Sequence, residues 1–390
     1  MGAAGYLASS IPLRLASAGS AVALPILAVH ELGDVAVGGA LVAASLAPAV
    51  VAAPLAGVAL DRARSPRLLV IAAAVATFAG FVAASLLGIL PLPLIVLLLV
   101  IAGCAAPFYF GGLSSFVTGE IADERAAYAY DALSYNISSV AGPGIVAVAA
   151  VTGVSRLGML LMAGAALAGA LGAIALRMAP RPRAAETFLG TIAAGARHLT
   201  GHAPLRLVIL SGGVSQFGAG ALPIAAIALS LERAGSAAQG AVIVTAFAIG
   251  GLAGAVFSAI RPGSRFSPAF VMTGGFAAIG VLTLAAIPDL GLPWTIAVIG
   301  ASGLFTASSS AAMLLLRKQQ SPAGVRSQVF TIGSGLRAAT GAAGAAVAGV
   351  VAGLDAGVLI AAIGIVWLLA AAVMLPYPRD AEPVVEPVET

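Results

Sequence analysis

Three charged residues fall in the interior of stretches that are long and apolar enough to form membrane-spanning helices. They are Arg14, Asp131 and Arg337. Inside a bilayer each charge costs about 2.5–3.5 kcal/mol on insertion scales, so it is expected to pair, to move protons or to bind a substrate. Arg14 and Asp131 carry opposite charges, and we expect an ion pair between them. The pair has two interpretations, a fixed packing contact or a site where Asp131 takes up and releases a proton.

Arg337 differs because no acidic residue is expected close to it. Asp289 and Asp355 lie in short breaks between apolar stretches. An arginine without a carboxylate partner that faces a cavity can bind an anionic or carbonyl-bearing substrate. It can equally be satisfied by helix carbonyls or by Thr340. The sequence leaves both interpretations open.

Four uncharged residues complete the candidate substrate contacts. Phe108 and Tyr109 belong to an aromatic cluster in the middle of an apolar stretch, and Asn136 follows Asp131 by about one helical turn. Gln216 places an amide group in another such stretch. Aromatic surface with a few hydrogen-bonding groups is typical of small-molecule sites. For each of these residues, plain helix packing is an alternative explanation.

A cluster of charges marks the break between the second and third apolar stretches. It reads Gly57-x-x-x-Asp61-Arg62-x-Arg64-Ser65-Pro66-Arg67. Glycine allows a neighbouring helix to approach closely, and a carboxylate at a helix junction can meet amide donors and the positive end of a helix dipole. Such a cluster can form in one conformation and break in another, which would make it a latch. The simpler alternative is a positively charged loop that anchors the chain at the membrane surface.

A second backbone signal is Gly142-Pro143, within the run Ser138-Ser139-Val140-Ala141-Gly142-Pro143-Gly144. Glycine and proline together favour a kink in a helix and free backbone groups that neighbouring helices must satisfy. The alternative is a contact that only serves close packing.

The composition places these residues in a membrane. Of 390 residues 61% are hydrophobic and 9% are charged, and the mean hydropathy is +1.08, whereas soluble domains carry about 25% charged residues. Without period-2 alternation, spanning helices of about 20 residues are expected. Twelve can be drawn, at 6–28, 36–60, 67–89, 92–117, 127–150, 157–177, 205–230, 236–260, 268–288, 293–316, 328–353 and 356–376.

The two halves of the chain repeat each other. Leu55-Ala56-Gly57 returns as Leu252-Ala253-Gly254, and Ala23-Leu24-Pro25-Ile26 returns as Ala221-Leu222-Pro223-Ile224, at offsets of 197 and 198. The segment 128–144 aligns with 329–345 at an offset of 201. Duplicated helical bundles with a site between the repeats are typical of secondary transporters. We predict six-helix bundles at 1–177 and 205–376, a cytoplasmic linker at 178–204 with an amphipathic helix, and a disordered cytoplasmic tail at 377–390.

The distribution of positive charge predicts the orientation of the chain. With the N-terminus in the cytoplasm, 15 of the 19 Lys and Arg residues fall in inner loops, two in outer loops and two within helices. This asymmetry predicts that both termini are cytoplasmic.

No pattern of an enzyme is found. The three histidines and the one cysteine have no metal-ligand spacing, and the phosphate-binding motif G-x-x-x-x-G-K-[ST] is absent from the sequence. We therefore expect no catalytic activity, no cofactor, no metal and no nucleic-acid partner.

The charge cluster resembles the signature loop of the major facilitator superfamily, G-x-x-x-D-R-x-G-R-R. Gly57, Asp61, Arg62 and Arg67 match it, whereas Ser65-Pro66 stands where the family has Gly-Arg. The Gly142-Pro143 run partly resembles the antiporter motif of exporters in this family, G-x-x-x-G-P-x-x-G-G. The twelve spans, the repeat and the long central loop are also similar.

The resemblance implies an all-α transporter with twelve transmembrane helices in two pseudo-symmetric bundles. It further implies alternating access, with the Asp61/Arg62 loop latching the outward-facing state, in a monomer of the cytoplasmic membrane. Proton-coupled efflux of a small organic molecule is the preferred expectation, with protons and the lipid bilayer as the other partners. Import of a nutrient or metabolite, a membrane receptor that does not transport, and a lipid flippase-like carrier are the alternatives.

Overall fold

The computed structural model describes residues 2–121, 124–180, 197–260, 266–321 and 323–378. No β-strand occurs within these ranges, and a five-residue π-helical turn, Phe108–Gly112, joins α5 to α6. The helices in chain order are α1 (Gly2–Leu32), α2 (Val35–Leu46), α3 (Pro48–Arg62), α4 (Pro66–Ser85), α5 (Leu92–Pro107), α6 (Leu113–Glu120), α7 (Glu124–Val151), α8 (Leu157–Ala173), α9 (Ala203–Ala234), α10 (Ala238–Ile260), α11 (Pro268–Leu284), α12 (Leu292–Gly303), α13 (Thr306–Gln319), α14 (Ala323–Val350) and α15 (Ala356–Val373).

The predicted all-α membrane fold is confirmed. Within the described ranges, nine stretches are long and apolar enough to cross a membrane, and α8 and α11 are shorter apolar helices. The remaining predicted span corresponds to α14, which has 28 residues and a more polar composition. Each of the twelve predicted segments thus contains one helix or two consecutive ones.

Three of the predicted spans are interrupted, which the hydropathy pattern does not reveal. The second span breaks at Ala47, because α3 begins at Pro48 and proline is favoured at the first position of a helix. The fourth span contains the π turn, and the tenth breaks between α12 and α13. The apolar composition continues through all three breaks, so the spans stay continuous while the backbone hydrogen-bonding pattern changes.

The internal repeat reappears in the helices. α1 and α9 have 31 and 32 residues, α7 and α14 both have 28, and α8 and α15 have 17 and 18. α1 and α9 both end at a glycine with positive φ, Gly33 at +68° and Gly235 at +65°, the conformation that terminates helices at glycine. The hydroxyl of Ser9 donates to the carbonyl of Gly169 in the first half, and that of Ser211 donates to Ala370 in the second.

The described residues fall into two compact units. The first is taken from Met1–Ala184, Pro223–Thr245 and Ala345–Ala356, and the second from Ala185–Leu222, Ala246–Gly344 and Gly357–Thr390. The bundle boundaries drawn from the sequence stay predictions. Residues 181–196 of the linker and 379–390 of the tail lie outside the described residues, so the amphipathic helix and the disordered tail also stay predictions.

In the first unit, α7 packs against α1 along a seam of small residues. The Ser138 hydroxyl donates to the carbonyl of Ile11 at 3.0 Å. A Cβ atom on Gly142 would lie 2.7 Å from the amide nitrogen of Gly19 and 2.8 Å from the carbonyl oxygen of Leu15. Only glycine fits this approach of two backbones. Pro143 follows inside the same helix, which continues to Val151, and the predicted kink stays a prediction.

We expect Gly142→Ala to destabilise the protein. Its methyl group would contact backbone atoms, which cannot move without separating α1 from α7, and overpacking of this kind costs about 1–3 kcal/mol. Gly164→Ala is the matched control, because no atom lies within 4 Å of the corresponding Cβ position. The measurement is the unfolding midpoint of both variants in the same detergent. Equal midpoints would show that the seam tolerates the extra methyl group.

Candidate functional site

The expected ion pair between Arg14 and Asp131 is present and forms the centre of a polar network in the first unit. Arg14 lies on α1 and is only 1% exposed, and its Nη1 lies 2.8 Å from Oδ1 of Asp131 on α7. The same Nη1 donates to the Asp131 carbonyl at 3.1 Å and to the hydroxyl of Ser134. The positive charge therefore meets a carboxylate and two neutral oxygens from one helix.

The second terminal nitrogen of Arg14 is satisfied by other elements. Nη2 donates to the hydroxyl of Ser114 on α6 at 2.9 Å, to the carbonyl of Phe110 in the π turn at 3.3 Å, and to the hydroxyl of Tyr6 at 3.4 Å. The Tyr135 ring lies against the guanidinium, with 3.6 Å from its centroid to Cζ, which adds a cation–π contact. Of the three guanidinium nitrogens of Arg14, Nε is the one that is buried without a hydrogen-bond partner.

Asp131 receives two further hydrogen bonds on the oxygen that faces Arg14. Tyr6 donates to Oδ1 at 2.5 Å, and Ser114 donates to the same atom at 3.1 Å. The side chain nevertheless keeps 13% of its surface exposed. Asp131 is thus held in place by two hydroxyl groups and an arginine, and it retains some access to its surroundings.

The π turn brings aromatic side chains and the carbonyl of Phe110 to this network, and that carbonyl also accepts from the amide of Leu113. In a π turn the hydrogen bonds shift from i−4 to i−5, and such turns are frequent at functional sites. The Phe110 carbonyl accepts from Arg14 and also from Ser114 at 3.1 Å. The hydroxyl of Tyr109 lies 3.0 Å from that of Ser17 and accepts from Thr77 at 3.3 Å.

A cavity of about 300 Å³ adjoins the network within the first unit. Arg14 forms part of its wall, together with the aromatic side chains of Phe81, Tyr109, Phe110 and Tyr135 and with five serines. The ion pair leaves the wall close to neutral overall. A cavity of this kind suits a molecule with an apolar body and a few hydrogen-bonding groups.

Arg337 has a partner in the second unit that the sequence did not single out for it. Its Nη2 donates to Oε1 of Gln216 at 2.9 Å, which brings two predicted candidates together. Thr340 instead donates to the carbonyls of Leu336 and Arg337. Gln216 lies 202 residues after Arg14, and Arg337 lies 201 residues after Asn136. Both halves thus link their first and fifth spans by a polar contact. The arginine lies on the first span in the first half and on the fifth span in the second half.

The remaining predicted candidates have ordinary surroundings. Phe108 packs against the apolar core of the first unit. Asn136 is exposed, and its carbonyl accepts from Ser139 at 2.9 Å.

The predicted latch is described only in part. Arg67 donates from Nη1 to the carbonyls of Ile174 at 3.0 Å and Leu176 at 3.5 Å, so it satisfies the C-terminal end of α8. Gly57 is exposed, with no atom within 4 Å of a Cβ position, so the expected close approach is not present there. Arg62 is exposed, and the side chain of Asp61 lies outside the described residues. The latch itself stays a prediction.

Sequence reasoning missed several members of the network and one buried charge. Tyr6 precedes Arg14 by eight residues, and Ser134 follows Asp131 by three, which are spacings that share a helix face. Arg317 directly follows the tenth predicted span, 293–316, and was expected among the 15 charges of the inner loops. The structure places it in the last turn of α13, where its side chain is 1% exposed.

Neither a protein-family model nor a curated protein matches this sequence. Solved structures do match. A POT family transporter in complex with 5-aminolevulinic acid aligns with a TM-score of 0.75 and 13% identity, over 96% of this chain and 95% of that chain. The nucleoside transporter NupG aligns with a TM-score of 0.75 and 14% identity, over 95% and 99%. An auto-inhibited POT family peptide transporter aligns with a TM-score of 0.71 and 12% identity, over 99% and 98%.

The chain has the fold of the major facilitator superfamily. The similar structures agree with the resemblance of the signature loop and cover nearly the whole chain. At these identities the similarity establishes the fold, and the function has to be argued from the site. All three of these solved structures are of transporters.

We expect the Arg14–Asp131 ion pair to stabilise the protein far more than a more exposed ion pair with the same N–O distance. Arg14→Met leaves the buried Asp131 without its counterion, and breaking a buried pair costs about 3–5 kcal/mol. Glu31 and Arg156 form the matched control, because their N–O distance is also 2.8 Å but their side chains are 19% and 32% exposed. Arg156→Met should cost about 0–1 kcal/mol.

The measurement is chemical unfolding of each variant in detergent, completed by double-mutant cycles with Asp131→Asn and Glu31→Gln. A coupling energy for Arg14 and Asp131 no larger than that for Glu31 and Arg156 would contradict the interpretation.

Proposed function

We propose that this protein is a secondary transporter that moves a small organic molecule across the cytoplasmic membrane by alternating access. The observation that carries the proposal is the cavity of about 300 Å³ beside the Arg14–Asp131 network, in a chain with the fold of a transporter superfamily. A charged network enclosed in membrane-spanning helices is a functional site by default, because its burial is costly.

The cargo we propose for the cavity of the first unit has an apolar or aromatic body. The wall offers four aromatic side chains, whose faces stack on flat molecules. The five serine hydroxyls of the wall donate to backbone carbonyls and keep lone pairs that can accept hydrogen bonds from the cargo. The similar structures concern transporters of peptides and a nucleoside, and one was solved with 5-aminolevulinic acid. These cargoes share the combination of polar groups with a compact body.

Protons are the coupling ion we propose, with Asp131 as the group that binds them. Its carboxylate lies beside the cavity wall and keeps 13% exposure. A neutral carboxyl group at this position would release the Arg14 charge toward the cavity, whereas the carboxylate neutralises it. Proton binding and substrate binding would thereby act on the same guanidinium.

Export is the direction we propose, with both termini in the cytoplasm and the chain acting as a monomer. The support for export is the Gly142-Pro143 run, which resembles the antiporter motif and forms the seam between α1 and α7. The support for the orientation is the distribution of Lys and Arg residues. The Asp61 loop would latch one of the two alternating states.

We expect Asp131→Asn to abolish proton coupling while substrate exchange continues. Asparagine keeps an oxygen that accepts from Tyr6 and Ser114, but it cannot titrate. The measurement uses proteoliposomes with an internal pH-sensitive dye and an imposed pH gradient, to which amphiphilic compounds, nucleosides and short peptides are added in turn. Substrate-driven proton flux should fall to background, whereas counterflow of the same compound should persist.

Asp34→Asn is the matched control, because Asp34 is exposed and caps α2 through Oδ1, and asparagine caps helices equally well. Proton flux that survives in Asp131→Asn would exclude Asp131 as the coupling group. Saturable binding with no flux of any compound would instead indicate a receptor, and movement of labelled lipid alone would indicate a flippase-like carrier. Movement of the compound in the same direction as the protons, and not in the opposite direction, would indicate symport and therefore import.

A further inference from the structure

The second unit contains two buried guanidinium groups that lie close together. Arg317 comes from α13 and Arg337 from α14. A Cβ atom on Gly333 would lie 3.1 Å from Nη1 of Arg317, and one on Gly212 would lie 3.2 Å from its Nη2. The Arg317 guanidinium is therefore packed between α9 and α14. Arg337 follows Gly333 by one helical turn, so the two charges are neighbours and repel each other.

The hydrogen-bonding groups of these arginines are poorly satisfied. Nη2 of Arg317 contacts the sulfur of Met313 at 3.5 Å, and its Nε is buried without a partner. Arg337 donates from Nη2 to Gln216, and its Nε is also buried without a partner. Within the described part of the chain, neither guanidinium forms an ion pair with a carboxylate.

Arg14 has the carboxylate partner that Arg317 and Arg337 lack among the described residues. Arg14 is buried to the same degree as Arg317, but it meets a carboxylate and several oxygens. A guanidinium stays charged at every accessible pH, and a buried charge without a counterion is strongly unfavourable. The C-terminal dipole of α13 favours a cation in its last turn, but this effect is small beside the loss of hydration. The second positive charge nearby, on Arg337, makes burial of the Arg317 guanidinium still less favourable.

We propose that Arg317 and Arg337 form a binding site for the oxyanion group of an acidic substrate. The inference deepens the proposed function and rests on it, because the oxyanion is assigned to the transported molecule. Arg337 would contact the anion, since it is only partly buried whereas Arg317 is 1% exposed. Its enclosed Nε is the donor that an entering oxygen would satisfy. The Nε and Nη groups of one arginine edge match the two oxygens of a carboxylate or of a phosphate.

Arg317 acts behind Arg337, as a second positive charge that is almost completely enclosed. In this position it raises the affinity for an anion without needing direct access to it. Gln216 accepts a hydrogen bond from Arg337, and its neutral amide orients the guanidinium without cancelling its charge. The site would therefore discriminate by charge, binding an acid and rejecting the corresponding amide.

The binding test uses the purified full-length chain in neutral detergent, with benzoate, inorganic phosphate and the uncharged isostere benzamide as probes. We expect benzoate or phosphate to raise the melting temperature and to bind measurably by calorimetry, and benzamide to do neither. Arg337→Gln should weaken oxyanion binding at least tenfold. Arg206→Gln is the control, because Arg206 is exposed on the same helix as Gln216, and it should bind like the wild type.

A parallel measurement in nanodiscs separates substrate from lipid. If anionic lipid stabilises the protein through Arg337 and neither soluble oxyanion binds, the site holds a lipid headgroup and the substrate assignment is wrong. If benzamide binds as well as benzoate, or if Arg337→Gln leaves benzoate binding unchanged, the oxyanion site is wrong.

The sign of a stability change gives a second, independent test that needs no ligand. In anion-free buffer, Arg317→Met should raise the melting temperature, because methionine has a similar length and removes an uncompensated charge. Arg14→Met should lower it under the same conditions. A comparable decrease in both variants would mean that Arg317 is already compensated, which would overturn the proposal. Arg337→Met provides the same comparison if Arg317→Met does not fold.

Transport and the oxyanion site can be disproved separately. Oxyanion binding that depends on Arg337, without flux of any compound in proteoliposomes, would disprove transport and leave the site intact. Flux of neutral compounds that is unchanged in Arg337→Gln, without oxyanion binding, would disprove the site and leave transport intact.

Discussion

A guanidinium that cannot lose its proton has to be neutralised inside the protein once it leaves water, and this requirement organises the first unit. Arg14 collects contacts from α1, the π turn, α6 and α7. No two of these elements can separate without exposing part of its charge to an apolar environment. The arginine thus fixes the positions of Asp131, Tyr6 and Ser114. The cavity lies beside it because three of the four aromatic residues that line the cavity belong to the π turn and α7.

The duplicated halves keep the position of a polar contact and change its chemistry. In the first half an arginine on the first span meets a carboxylate on the fifth, and in the second half an arginine on the fifth span meets an amide on the first. The first arrangement is neutral as a pair. The second retains a full positive charge, to which Arg317 adds another. The repeat therefore provides one geometry with two electrostatic environments, one suited to a titrating group and the other to an anion.

Much of this could be predicted from the sequence, because length and apolar composition alone determine the spans. The Arg14–Asp131 pair followed from the scarcity of buried charges, since Asp131 was the only acid placed inside a predicted span. Arg317 was missed for a specific reason. A basic residue at the end of an apolar run suggests a loop, but α13 continues to Gln319. Helical side chains lean toward the N-terminus of their helix, which directs Arg317 away from the end of the span.

Backbone irregularities were the other feature that could not be predicted, because they leave the apolar pattern unchanged. The π turn at Phe108–Gly112 lies in the middle of an apolar run, and nothing in the hydropathy separates it from an ordinary helix. Its consequence is chemical, since the carbonyl of Phe110 becomes an acceptor for Arg14 and Ser114. Gly57 shows the converse case. Its spacing suggested a close helix contact, yet the position is open, whereas Gly254 in the second copy packs against the carbonyl of Leu304.

These carbonyl contacts bear directly on whether Asp131 can change its protonation state. A carboxylate that alternates between charge states needs surroundings that persist in both. Arg14 donates to the carbonyls of Phe110 and Asp131 and to the hydroxyls of Ser114 and Ser134, and none of these acceptors depends on the carboxylate charge. Protonation would therefore remove the countercharge but not these hydrogen bonds, so the guanidinium would stay in place as an uncompensated charge beside the cavity. Asp131 would remain within reach of Tyr6, so the network could return to its starting geometry once the proton departs.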